Sequence, residues 1–316
     1  MQDDKEKKIV LITGTTGFVG QNLLNNILQS GDFKIRCLNR KVAKIQGLES
    51  FSFDEIYDVN SAKEIFQGVD VVIHLAGLAH QKNVPMDSYK EANTDLTLKL
   101  ANLSVEYGVR RFLFLSSIGV NGVSSETPFN ECSPVAPADY YSISKLDAEN
   151  GLKKMMVNAA TDWVILRPPL IYGPKAPGNF GRLMRLVNRG LPIPFGAINN
   201  KRSFIFIGNL VDLIIKSVHS AAASREVFLA SDNEVISTSK LLRIMIREAK
   251  SKSVLLSIPQ RLLNFIFGLV NKSGEINKLS CDLEIDISRT KNALDWTPPY
   301  SLEDGIRICF DEEQRK

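Results

Sequence analysis

Two apolar rhythms alternate along the 316-residue chain. Short, mostly apolar runs recur at Ile9–Ile12, Val69–Leu75 and Arg111–Leu115, with a second strand at about Lys34–Leu38 and a further short strand before Asp58. Runs of that kind belong to strands buried on both faces. Between them, apolar residues return at helical spacing. Leu23, Leu24, Ile27 and Leu28 follow the first run, and Leu96, Leu98, Leu100, Ala101 and Leu103 fall inside Asp87–Tyr107, which reads as one long helix stopped by Gly108. Another helix opens at Asp139. The alternation predicts an α/β fold with a doubly wound parallel sheet, carried by residues 1–170 and a returning segment near 203–235. Residues 171–202 and 236–316 are more irregular and form a smaller C-terminal domain. The most apolar stretch, Leu262–Val270, is far too short to span a bilayer. It follows Pro259 and is expected to form a helix packed inward.

The turn after the first strand holds Gly14, Gly17 and Gly20, each three residues after the last. Gly14 permits the tight turn, Gly17 lets a pyrophosphate approach the backbone, and Gly20 lets the helix lie close to the strand. The helix N-terminus then offers unpaired N–H groups to phosphates. A strand–turn–helix without a ligand is the plainer alternative, but the strand before and the helix after favour a dinucleotide site. At the end of the second strand, an Asp or Glu would bind the adenosine ribose and repel a 2′-phosphate. This chain has Asn39 there, followed by Arg40, Lys41 and Lys44. Arg40 can pair with a phosphate, which favours NADP(H) over NAD(H), or it is a solvated surface charge. Asp58 and Val59 are expected near the adenine edge, and Ala76 and Gly77 are small enough to let backbone lie against the cofactor. His74 and His80 have no carboxylate partner nearby and are expected to be a packed strand-end residue and a loop residue.

Tyr141 and Lys145 are four apart on one helix face, and of seven tyrosines only Tyr141 has a lysine four later. A nearby ammonium lowers a phenol's pKa, so Tyr141 could exchange a proton at neutral pH. Ser117, at the end of the Arg111–Leu115 strand, can hydrogen-bond the same substrate oxygen. The short motif gains weight from its place at the carboxyl edge of the sheet.

Composition narrows the partners. The net charge of +4 is slight, and no basic run beyond Lys5–Lys8 exceeds a pair, so nucleic acid is not expected. Cys37, Cys132, Cys281 and Cys309 are far apart, without metal-ligand spacing, and are expected as reduced, small buried hydrophobes in a cytoplasmic protein. Neither a metal nor a membrane partner is expected.

These motifs, with Arg167–Pro174, resemble those of the extended short-chain dehydrogenase/reductases, the NAD-dependent epimerase/dehydratase family, over nearly the whole chain. The resemblance implies a Rossmann domain and a nucleotide-sugar-binding cap. It gives catalysis to Ser117, Tyr141 and Lys145, and cofactor contacts to Gly14, Thr16, Gly17, Phe18, Val19, Gly20, Asn39, Arg40, Asp58, Val59, Leu75, Ala76, Gly77, Asn93, Ser116, Tyr141, Lys145 and Pro168. Tyr172 is implicated beside Pro168, and Asn93 in holding the lysine and a water. Ser117, Asn179 and Arg202 are implied on the substrate, with Arg202 on its pyrophosphate unless it is a surface salt bridge. Trp296 is implied to be mainly packing, and a homodimer is expected through helices 87–107 and 141–158.

Dehydratases of this family carry an acidic pair just after the catalytic hydroxyl, where this chain has Ile118 and Gly119. An epimerase that keeps a tightly held NAD suits an acid at position 39, whereas a reductase that consumes NADPH suits Asn39 and Arg40. The segments around Asn179 and Lys201–Asp212 resemble most those of reductases of UDP-4-keto-6-deoxy-N-acetylhexosamines, enzymes of polysaccharide biosynthesis. The expected activity is therefore UDP-sugar C4 ketoreduction, with UDP-glucose/UDP-N-acetylglucosamine 4-epimerisation next and a catalytically inactive dinucleotide sensor third.

Overall fold

The computed structural model describes residues 7–43, 45, 47–79, 84–269 and 279–314. His80 and Lys44 lie outside the described residues. The main sheet contains β1 (Lys8–Thr13), β2 (Phe33–Asn39), β3 (Glu49–Ser52), β4 (Val69–His74), β5 (Arg111–Leu115), β6 (Asp162–Arg167) and β9 (Glu226–Leu229), all parallel, in the order β3-β2-β1-β4-β5-β6-β9. The chain winds outward from β1 to β3, then returns to place β4 on the other side of β1, with Thr13 opposite His74. That reversal opens a crevice beyond the carboxyl ends of β1 and β4, where ligands of doubly wound sheets bind.

The apolar runs are unbroken because both faces are covered. Val10 and Ile12 point into the same core as Leu23 and Ile27 of α1 (Phe18–Ser30) and Leu210 and Ile214 of α7 (Ile207–His219). Leu11 faces the other core, with Ile65 of α2 (Val59–Phe66), Leu100 of α4 (Leu96–Glu106) and Leu152 of α5 (Tyr140–Met155). A small second sheet joins β7 (Leu170–Tyr172), β8 (Arg202–Phe206) and β10 (Val235–Ile236), with β8 central. Around it lie α6 (Gly178–Asn188), α8 (Thr238–Glu248), α9 (Gln260–Leu269), α10 (Ser288–Leu294) and α11 (Leu302–Gln314).

Several expectations are corrected. The long helix over 87–107 is α3 (Met86–Tyr89), a π-turn at Lys90–Asp95, and α4. The wider turn carries Asn93, whose amide hydrogen-bonds outside the helix, and such bulges often mark functional positions. α1 begins at Phe18, a turn before the first periodic leucine, because Gly17 in extended backbone serves as its N-cap. α9 does begin directly after Pro259, and its Leu263 is buried, but Leu262 and Phe265 are 49% and 65% exposed and do not pack inward. Cys37 and Cys309 are buried as expected, whereas Cys132 is exposed and Cys281 half-buried.

Candidate active site

The glycine turn has the shape of a phosphate cradle. Gly14 sits at φ +73°, where a Cβ would stand 2.8 Å from the Ala76 nitrogen. A Cβ on Gly20 would collide with the Gly14 carbonyl and the Thr15 Cα, so this glycine lets α1 close on the turn. At Gly17 a Cβ would meet only the Gly14 oxygen, at 3.3 Å, which leaves its outer side open. No side chain caps the N-terminus of α1, and no acid lies in its first turn. Free N–H groups and a positive helix end thus face the crevice, and the site fits a dinucleotide's pyrophosphate. Thr16 is exposed, and Phe18 and Val19 are half-buried at its mouth.

Asn39 departs from its expected place. Its side chain is 2% exposed and bonds Thr15 Oγ1 at 2.9 Å, so it supports the turn from beneath rather than presenting an amide to a ribose. Arg40, the next residue, is exposed. Asp58 caps α2, accepting hydrogen bonds from the Ser61 nitrogen and hydroxyl at 2.8 Å each, and Val59 beside it is exposed.

His74 is the packed residue expected from the sequence. Its Nδ1 lies 2.7 Å from Thr13 Oγ1 and its Nε2 2.9 Å from Thr97 Oγ1. Thr97 donates to the Asn93 carbonyl, so the consistent arrangement has His74 donating from Nε2 and accepting from Thr13 at Nδ1. Burial, with the nearby Lys145 charge, pushes His74 down to about 3, so the ring is neutral. Thr13 Oγ1 also accepts from the Ala76 nitrogen at 3.1 Å, which fixes the segment Leu75–Gly77. Asn93 clasps Leu78, accepting from its nitrogen at 2.7 Å and donating to its oxygen at 3.1 Å, and donates to Ser144 Oγ at 3.0 Å. Gly77 lies close against Asn93 and Lys145, since a Cβ there would come 2.9 Å from Asn93 Oδ1 and 3.2 Å from Lys145 Nζ and would push one of them aside.

The structure brings Ser117, Tyr141 and Lys145 together at the carboxyl end of β5. Asp139 caps α5 by accepting from the Ser142 nitrogen at 2.8 Å, which starts the helix where Tyr141 and Lys145 share a face. Ser117 and Tyr141 are hydrogen-bonded through their side chains. Lys145 Nζ donates to the Leu115 carbonyl at 3.0 Å and lies 4.6 Å from the centre of the Phe114 ring. The expected lowering of Tyr141 by Lys145 is not what the structure gives. Burial pushes Tyr141 up to about 12, and the Ser117 hydrogen bond only partly opposes it. Lys145 itself is brought down to about 8 by burial, against the attraction of Glu149. Desolvation of the phenolate is the dominant effect, and the Lys145 ammonium is directed at a carbonyl and a ring.

Beneath these residues is a cluster that the motifs did not reveal. Glu149 is fully buried, one turn beyond Lys145. It accepts from Ser116 Oγ at 2.5 Å and from Arg167 Nε and Nη2 at 2.9 and 2.5 Å, while Arg167 Nη1 donates to Asn121 Oδ1 at 3.0 Å. Ser116 is therefore turned inward, away from its expected cofactor role, and its nitrogen is taken by the Leu166 carbonyl. Pro168 is buried, and its carbonyl accepts from the Ile118 nitrogen, tying β6 to the turn after Ser117. Ser142 Oγ, also buried, has no hydrogen-bond partner among the described residues and fills the space a Gly119 side chain would need, 2.5 Å from its Cβ position. The helical spacing Tyr141–Lys145–Glu149 was the only available sign of this cluster.

On the cap side, Asn179 is exposed in the first turn of α6, and Arg202 Nη1 donates to the Cys281 carbonyl at 3.2 Å and lies 3.4 Å from its sulfur. Tyr172 is not at the crevice. It is buried, and its hydroxyl donates to Asp232 Oδ2 at 2.8 Å. Asp232 also accepts from Asn209 Nδ2 and the Phe206 nitrogen, and burial raises it to about 6. Trp296 packs as expected and also donates to Asp212 at 2.7 Å.

Residues 10–230 match the model of the NAD dependent epimerase/dehydratase family. A UDP-glucose 4-epimerase of Vibrio cholerae is 36% identical over 96% of this chain and 95% of its own. An N-acetyl-alpha-D-glucosaminyl-diphospho-ditrans,octacis-undecaprenol 4-epimerase of Escherichia coli O157:H7 is 26% identical over 94% and 92%. Among solved structures, the Bordetella bronchiseptica enzyme WbmG in complex with NAD superposes with a TM-score of 0.80 at 19% identity, covering 100% of this chain and 96% of that one. With that match over residues 10–230 and a relative 36% identical over 96% of this chain, the chain belongs to the NAD-dependent epimerase/dehydratase family.

Proposed function

We propose that the protein is an NAD(P)(H)-dependent oxidoreductase acting at C4 of a UDP-sugar, and that it reduces a UDP-4-keto-6-deoxy-N-acetylhexosamine. The observation that carries this reading is Tyr141, a phenol kept protonated by burial, bonded to Ser117 and one helical turn from Lys145. A bound reduced nicotinamide supplies the hydride that adds to C4. Tyr141 gives its proton to O4, so the carbonyl becomes a hydroxyl, while Ser117 holds the same oxygen and Lys145 stabilises the phenolate left behind. Gly14, Gly17 and the N-terminus of α1 would hold the pyrophosphate, and exposed Arg40, with no acid at position 39, suits NADPH. Asn179 and Arg202 would take the sugar nucleotide. Gly119, with its Cβ position filled by Ser142, leaves no room for an acid, which argues against a dehydratase. Assembly as a homodimer through α4 and α5 belongs to the same reading.

A second reading, a UDP-hexose 4-epimerase with retained NAD, draws on the name of the Vibrio cholerae relative above. One experiment separates the two. The protein is given UDP-4-keto-6-deoxy-N-acetylglucosamine with NADPH or NADH and, separately, UDP-glucose and UDP-N-acetylglucosamine without added cofactor. Stoichiometric NADPH consumption, falling ~100-fold or more in Tyr141→Phe, supports the reductase. Interconversion of the intact sugars without net cofactor loss supports the epimerase and overturns the first reading.

A further inference from the structure

Charge is distributed unevenly along this chain. Residues 163–211 and 249–274 hold eleven lysines and arginines and no acid, so the rest of the chain has 28 bases against 35 acids. The fold joins parts of these two stretches at one corner of the cap. Ser251 and Ser253 donate their hydroxyls to the Val187 carbonyl at the end of α6, at 2.5 and 3.1 Å. The following backbone pairs with residues 193–196 through Ile193 N to Val254 O, Leu256 N to Ile193 O and Gly196 N to Leu256 O, at 2.8 to 2.9 Å. Extended backbone alternates its side chains, so Ser253 is buried while Val254 and Leu256 are turned to solvent, 59% and 44% exposed. Leu191, two residues before the paired segment, is 53% exposed, and α9, which follows Pro259, adds Leu262 and Phe265 at 49% and 65%. Arg189, Lys250, Lys252 and Arg261 are exposed along the same segments.

Five large apolar side chains left in water on a few linked segments mark an interaction surface, not scattered exposure. We propose that this corner docks peripherally on an anionic lipid bilayer, with the apolar side chains in the headgroup–acyl boundary and the four bases on lipid phosphates. A short amphipathic helix with aromatic and leucine side chains, edged by Lys and Arg, suits that interface. Each base near an anionic surface adds attraction that salt screens. No helix among the described residues is long and apolar enough to cross a membrane, so the contact lies on the bilayer and does not traverse it. A second copy is disfavoured as the occupant, because a two-fold contact would set the basic rims against each other.

The test is co-sedimentation of the full chain with phosphatidylcholine vesicles, with and without phosphatidylglycerol. Binding is expected to the phosphatidylglycerol vesicles and to fall as salt rises. The double variant Leu262→Ser/Phe265→Ser should weaken it about tenfold with an unchanged melting temperature, and Arg189→Glu/Lys252→Glu should weaken it similarly. The proposal is overturned if the full chain does not sediment with the anionic vesicles, or if both double variants bind as it does. A concentration-dependent dimer lost in the Leu262→Ser/Phe265→Ser variant, without vesicle binding, overturns it in favour of a second copy.

Discussion

Among the described residues, two carboxylates are buried, Glu149 and Asp232, and they are held in different ways. Glu149, under Ser117, Tyr141 and Lys145, faces a bidentate Arg167, a more distant Lys153 and the Ser116 hydroxyl. Asp232, between the small second sheet and α7, has only neutral donors close to it: the Tyr172 hydroxyl, the Asn209 amide and the Phe206 nitrogen. The first is a rigid brace, because Glu149 ties α5 to the ends of β5 and β6 that carry Ser117 and Pro168. The second is a joint whose charge the neutral donors support incompletely, so burial leaves Asp232 raised to about 6. With neutral donors alone around it, the buried Asp232 carboxylate stays responsive to pH.

The largest expected stability effect comes from breaking the brace. Glu149→Ala leaves Arg167 buried without its partner, which costs about 3–5 kcal/mol in urea unfolding. Replacing both partners, as Glu149→Leu with Arg167→Met, should recover most of that loss while still lowering turnover, because the ends of β5 and β6 lose their tie. Recovery of stability with full turnover would remove Glu149 from the positioning of the site.

The joint gives the next effect, with a defined sign. Asp232 titrates higher in the folded protein than its ordinary 3.8, so its contribution is fully present below about pH 4 and is lost as pH rises through about 6. A shift of about two units corresponds to roughly 2–3 kcal/mol, read as the fall in unfolding free energy between those pH values. Asp232→Asn should flatten that part of the curve, and an unchanged slope would show that another group carries it.

Tyr172→Phe should be milder, about 1 kcal/mol, since it removes one donor from a carboxylate that keeps two others. With the cofactor and substrate sites untouched, its KM should be unchanged, and a raised KM would return Tyr172 to the crevice.

Much of the fold was legible because its signals are local. Short, mostly apolar runs placed β1, β4 and β5 within a residue, and the second strand was placed over Lys34–Leu38, one residue short of β2 at each end. Three glycines at fixed offsets gave the cradle, and a four-residue spacing put Tyr141 and Lys145 on one face. Each depends on neighbours within one turn or one strand. What the sequence could not decide was which distant polar group would meet which. Asn39 bonds Thr15 instead of facing outward, Ser116 turns to Glu149, and Tyr172 turns to Asp232, partners 24, 33 and 60 residues away. The same limit applies to Tyr141, whose pKa depends on how fully the fold removes water from the phenol, and to Leu262 and Phe265, which periodicity alone would bury. Backbone geometry and apolar periodicity are written into adjacent residues, but desolvation and hydrogen-bond partners exist only once the chain has folded.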